Sequence, residues 1–260
     1  MEARIANLRL DGRIAAGFYT SRENNRNPNV GIRRPTQRSP VPASCKLLVE
    51  FLRTTKVLYV GISDVPGWWI AQANTLADLR GWSRFIGLQI PYNLIERTVE
   101  RELIPMAKAL DIGVTAWSPL SNGVLTGKYH GHGGSELGRM NSETMKTFVP
   151  EQQRAARIVA AVKIVSEQTG CSMAQVALAW LRYRPVPVIP IIGARKLTQL
   201  QDNLASFDLE LSAEHLKSLE EASRVELGFP QDLYAIKAVG AIRYGGMRDR
   251  ILADELATQL

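Results

Sequence analysis

Gly193, Arg195 and Lys196 are the residues whose types and spacing most directly invite chemistry. A glycine lets backbone approach a ligand closely, and two adjacent cations add full charge beside it. Leu197, Leu200 and Leu204 recur at intervals of three and four, so a helix opens just behind the cations. Free N–H groups at a helix start attract anions. The apolar, mostly β-branched run 188–192 lies between Pro187 and Gly193 and reads as a buried strand. Strand, glycine, cations and helix in that order outline a phosphate site. The plain alternative is a strand-to-helix connection carrying solvated cations.

The elements that must position such a site can be followed along the chain. Asp11-Gly12 between two partly alternating runs signals a hairpin within residues 4–20. Residues 21–44 hold five arginines, four prolines and few aliphatic side chains, a composition that buries too little to become ordered. We therefore set 1–45 apart as a basic, Arg/Pro-rich segment and 46–260 as the folded part. Leu47, Leu48, Phe51 and Leu52 predict a short helix in 46–55. Strands follow at 57–62, 85–90 and 114–117. Helices are expected at 65–80, with Trp68 and Trp69 in the core, and at 98–110, 151–169 and 172–183. Ser172 and Gln175 make a capping box for the last of these, and Ser212 starts a final helix with Leu216, Leu219 and Ala222 inward. His130 and His132 lack a third ligand nearby and read as a solvated loop rather than a metal site.

Three further segments, VLYVGISD (57–64), GLQIPYNLIER (87–97) and VTAWSPLSNGVLTGKY (114–129), come in an order that resembles the second half of an aldo-keto reductase. That resemblance implies an α/β fold, a (β/α)8 TIM barrel, here partial and lacking its first strands. It implies NADP(H) as cofactor and a carbonyl compound as substrate. By the family pattern Ser63, Asp64 and Gln89 hold the nicotinamide carboxamide, and Trp117 stacks on the ring. Ser118, Leu120, Asn122 and Gly123 wrap the pyrophosphate, with Lys128 as an added cation. Gly193, Arg195, Gln199 and Asn203, with Lys196 alongside, meet the 2′-phosphate and adenine. The tail from Gly228 resembles the extension that borders the family's substrate pocket.

The family's proton donor is a tyrosine paired with a lysine and an aspartate, and a histidine orients the carbonyl. All four belong before the fifth barrel strand, and this sequence matches none of them. Its first histidine is His130, Asp11 has no tyrosine five residues on, and Lys46 stands in an unrelated context. No catalytic residue is assigned. The reading is an NADP-dependent oxidoreductase by descent with impaired catalysis. Its alternatives are a catalytically inactive nucleotide-binding or regulatory protein and a truncated product.

Charge and composition narrow the partners. Residues 1–56 carry 11 Lys and Arg against 4 Asp and Glu, while the rest is balanced, so the formal +7 is confined to residues 1–56. With no base-stacking or zinc-finger pattern, nucleic acid is discounted. Cys45 and Cys171 are isolated, which fits a reducing, cytoplasmic setting, and no apolar run reaches membrane-spanning length. A barrel without its first strands would expose the edges of the family's fifth and eighth strands, an invitation to self-association.

Overall fold

The computed structural model describes residues 4–10, 13–19, 57–128 and 152–236. Two compact units divide the chain, Met1–Ser223 and Arg224–Leu260. The expectations for the segment 21–44, the helix in 46–55, the histidine pair and most of the C-terminal tail lie outside the described residues.

The first unit is built on one six-stranded sheet in sequential order. Strands β1 (Arg4–Leu10) and β2 (Arg13–Tyr19) pair antiparallel, with Leu10 opposite Arg13. Four strands then run parallel: β3 (Val57–Ser63), β4 (Phe85–Pro91), β5 (Gly113–Trp117) and β6 (Val188–Pro190). Their crossovers carry helices α1 (Gly67–Arg80), α2 (Leu103–Ala109), α3 (Gln152–Thr169) and α4 (Met173–Trp180). Helices α5 (Leu197–Leu204) and α6 (Ala213–Ser223) follow β6. This is four consecutive β/α units of a (β/α)8 barrel with an antiparallel hairpin added at one edge.

Residues aligned across the parallel strands share a face. Ile62, Leu88, Val114 and Val188 form one row and are buried beneath the helices. Ala155, Ile158, Val159, Val162 and Val165 give α3 its buried stripe at helical spacing, and Val176, Ala177, Trp180 and Leu181 do the same around α4. Ser172 and Gln175 form the expected capping box, each side chain bonding the other's backbone N–H at 3.2 Å. In the second unit, helix α7 (Gln231–Ala235) is preceded by Gly228, whose N–H donates to Asp232 Oδ2.

Several expectations need correction. The edge of β3, expected to be open, is paired by β2, with Gly17 opposite Val60 and Tyr19 opposite Val57. Strand β6 ends at Pro190 rather than at 192. Ile191 N–H still bonds inward to Ala116 O, which leaves the backbone of Pro190 facing outward with no N–H to offer. The outer edge of β6 is thereby blunted. The expected helix 98–110 is broken into a 3₁₀ turn (Thr98–Arg101) and α2, because Pro105 cannot accept a continuous α-helix through the carbonyl four residues back. Trp68 is 62% exposed instead of buried, while Trp69 packs against Phe85. Leu197, Leu200 and Leu204 do lie on a helix, but all three are exposed and the buried residue of α5 is Asn203.

Candidate cofactor site

Parallel pairing delivers the carboxyl ends of β3 to β6 to one edge of the sheet, where a barrel of this class places its ligand residues. Ser63 is level with Gln89, Gln89 with Thr115, and Pro91 with Trp117. Ser63 is fully buried, and its Oγ donates to the Gln89 carbonyl at 2.7 Å, so it braces β3 against β4. Asp64 turns the chain in the left-handed region at φ 56° and is exposed. Gln89 and Trp117 are half-buried at this edge.

The loop after β5 is strained. Ser118, Ser121 and Asn122 have φ of 53°, 47° and 55°, followed by Gly123 at 91°. Left-handed backbone costs a non-glycine residue roughly 1–2 kcal/mol, so the loop needs support. Ser121 N–H donates to Ser118 O at 2.9 Å, Gly123 N–H to Leu120 O at 2.9 Å, and Asn122 N–H to Ser118 Oγ at 3.2 Å. A second donor to Ser118 O is Asn93 Nδ2, at 3.0 Å from the turn after β4. Asn93 is 2% exposed, and its Oδ1 accepts from the N–H groups of Ile95 and Glu96, both at 2.8 Å. Asn93 lies within the 87–97 segment, where an asparagine opening a turn is the only local signal it offers. A Cβ on Gly123 would lie 2.6 Å from Lys128 Cε and 2.8 Å from Nζ, so the lysine stem lies across this glycine. Leu120 packs on the core from the same loop.

Beyond β6 the cations come into place. Gln199 Oε1 accepts from Arg195 N–H at 3.0 Å and Lys196 N–H at 3.3 Å, which closes the start of α5. The side chains of Arg195 and Lys196 are exposed, and neither forms an ion pair among the described residues. Gly193 is exposed, has no positive φ, and an added Cβ would meet nothing within 4 Å. Packing among the described residues therefore makes no demand for a glycine here. Asp202 fastens α5 to α4: its two carboxylate oxygens accept from Ser172 Oγ and Gln175 Nε2, each at 2.8 Å.

Behind the turn that holds Asn93 lies a buried polar cluster. Arg97, 5% exposed, donates from Nε and Nη2 to the two oxygens of Glu100 at 2.8 and 2.9 Å. Its Nη1 reaches Ser223 Oγ at 2.7 Å and its Nη2 reaches Glu220 Oε2 at 2.6 Å. Arg184 closes on Glu220 Oε1 at 2.6 Å, with its guanidinium 3.9 Å from the Trp180 ring. Tyr92 meets the same ring edge-on and donates its hydroxyl to Glu100. Burial, then the charge and hydrogen bond of Glu100, push the Tyr92 phenol far above its ordinary range, so it stays protonated. Burial pushes the Glu220 carboxyl up, but Arg184 and Arg97 outweigh it and hold the group below its usual value.

Four parallel strands, flanking helices and ligand-type residues at the carboxyl edge define part of a (β/α)8 barrel enzyme fold. The chain belongs to the aldo/keto reductase family, whose pattern it matches over residues 26–224, beginning well upstream of the first segment in which the likeness was legible. It is 32% identical over 199 residues to the aldo-keto reductase ausK of Aspergillus calidoustus, covering 75% of this chain and 49% of that protein. It is 35% identical over 173 residues to the uncharacterized oxidoreductase YrpG of Bacillus subtilis, covering 65% and 50%. The norsolorinic acid reductase stcV of Emericella nidulans is 31% identical over 175 residues, covering 67% and 43%. The chain thus spans about half the length of the curated relatives it matches.

Proposed function

We propose that this chain binds NADP(H) along the carboxyl edge of its parallel sheet and supplies the cofactor-binding part of an NADP-dependent oxidoreductase acting on aldehydes or ketones. The observation that carries the reading is the pair of exposed cations, Arg195 and Lys196, in no ion pair among the described residues, at the start of α5 beside the edge that also bears Gln89 and Trp117. The donor set suits the cofactor. Arg195 and Lys196 match a 2′-phosphate, and the half-buried Trp117 offers a flat face to an aromatic ring. The bound cofactor supplies a hydride. Gln89 would orient its ring, Trp117 would shield one face, and Lys128 would add charge near the bridging phosphates. The reading extends to a cytoplasmic setting. No helix among the described residues is long and apolar enough to cross a membrane.

A second reading, nucleotide binding without turnover, is favoured by the missing match to the family's tyrosine, lysine, aspartate and histidine. On this reading the chain alone has no appreciable carbonyl reductase activity, a missing general acid by itself costing about 10²–10⁴-fold. Fluorescence titration with NADPH and NADH tests the binding. Arg195→Ala should weaken NADPH about ten- to a hundredfold and leave NADH nearly unchanged. Equal losses would remove Arg195 from the 2′-phosphate. Steady NADPH oxidation with an aldehyde panel would reject the inactive reading.

A further inference from the structure

We propose that Asn93 is the positioning residue of the 118–123 loop, holding it in the conformation that receives the cofactor's pyrophosphate. The inference rests on the NADP(H) reading and adds to it a residue that touches neither ligand nor reacting atom.

Asn93 joins two turns that leave neighbouring strand ends. Its Oδ1 takes the N–H groups of Ile95 and Glu96 and so belongs to the turn after β4. Its Nδ2 crosses to Ser118 O, the first residue beyond β5 and the first of the left-handed positions. Ser118 O is also where Ser121 N–H lands, so one carbonyl anchors the loop from inside and from the adjacent turn. The turn holding Asn93 is itself pinned. Arg154 donates to Ile95 O and to Ser223 O, and Arg97 ties the same segment to Glu100, Glu220 and Ser223. Nearly complete burial keeps water from competing for the Nδ2–carbonyl bond. The rigidity of that cluster is thereby passed through one side-chain amide to a loop whose own backbone disfavours the shape it holds.

Asn93→Ser tests this: the shorter hydroxyl still accepts from the turn N–H groups, cannot reach Ser118 O and adds no charge. Asn93→Asp is the isosteric second variant, keeping the turn acceptors while removing the donor. Each is titrated with NADPH and with 2′,5′-ADP, which carries the 2′-phosphate but no pyrophosphate. Both variants should bind NADPH about tenfold more weakly while 2′,5′-ADP affinity stays within about twofold. In the free protein, amide exchange at Asn122 and Gly123 should accelerate while Gln199 is unaffected. Parallel loss of both ligands, or unchanged NADPH binding and exchange, would overturn the assignment. A wild-type chain that binds 2′,5′-ADP but not NADPH would also reject it, and one that binds neither would reject the cofactor reading itself.

Discussion

Arg97 Nη2 stands 2.6 Å from Glu220 Oε2, joining the turn after β4 to helix α6 across more than a hundred residues of sequence. The pair is buried on the arginine side, and Glu220 is shared with Arg184. Removing Arg97 would leave the half-buried Glu100 without its cation, while Glu220 keeps Arg184. Breaking a buried pair from one side typically costs about 3–5 kcal/mol. Arg97→Met should therefore lower the urea midpoint markedly, and an unchanged midpoint would show that the cluster is solvated in solution.

The same cluster sets an acid dependence. Glu220 in the folded state titrates below its ordinary value of 4.5, so the unfolded chain takes up its proton first as pH falls. The stability it contributes is whole above that ordinary value and is lost as pH drops through the folded one. Urea midpoints taken from neutral pH to about pH 3 should fall in the wild type and fall less steeply in Glu220→Gln. Parallel slopes in the two proteins would place the acid sensitivity elsewhere.

Ser172 has two duties, capping α4 through Gln175 N–H and bonding Asp202 on α5. Ser172→Ala should cost about 1–2 kcal/mol of stability, chiefly through the lost cap. Because Asp202 loses one of its two partners on α4, amide exchange in α5 should quicken more than in α3. Uniform change in both helices would argue that Asp202 does not couple α4 to α5.

The hairpin covers a strand that would otherwise present an open ladder. Deleting residues 1–19 removes β2 from β3, and an unpaired parallel strand edge favours association. Sedimentation velocity should show the shortened chain shifting to larger species as concentration rises, beyond any shift in the full chain. Identical profiles would mean that the β2–β3 pairing does not guard the edge.

Local signals made much of this fold legible. Alternation around Asp11-Gly12 marked the hairpin strands, the β-branched run at 188–192 marked β6, the family-like segments marked β3 to β5, and the serine and glutamine of 172–175 marked the start of α4. The order of the four segments placed Gln89, Trp117 and the 118–123 loop near strand ends and Arg195 between β6 and α5, because side-chain types near one another in sequence encode turns, caps and periodicity. Pro105 was equally visible and simply outranked the helical pattern around it.

What only the tertiary structure decided was which distant groups meet. The pairing of Gly17 with Val60, the reach of Asn93 to Ser118 O and the convergence of Arg97, Arg184, Glu220 and Trp180 depend on strand register and on helices returning over the sheet. Apart from Trp180 and Arg184, four residues apart, none of those partners lies within a helical turn or a tight loop of the other, so no periodicity announces the rest. Exposure followed the same logic: Trp68 and Leu197 are apolar residues on helices, yet whether they are covered depends on what packs beside them, which sequence spacing does not encode.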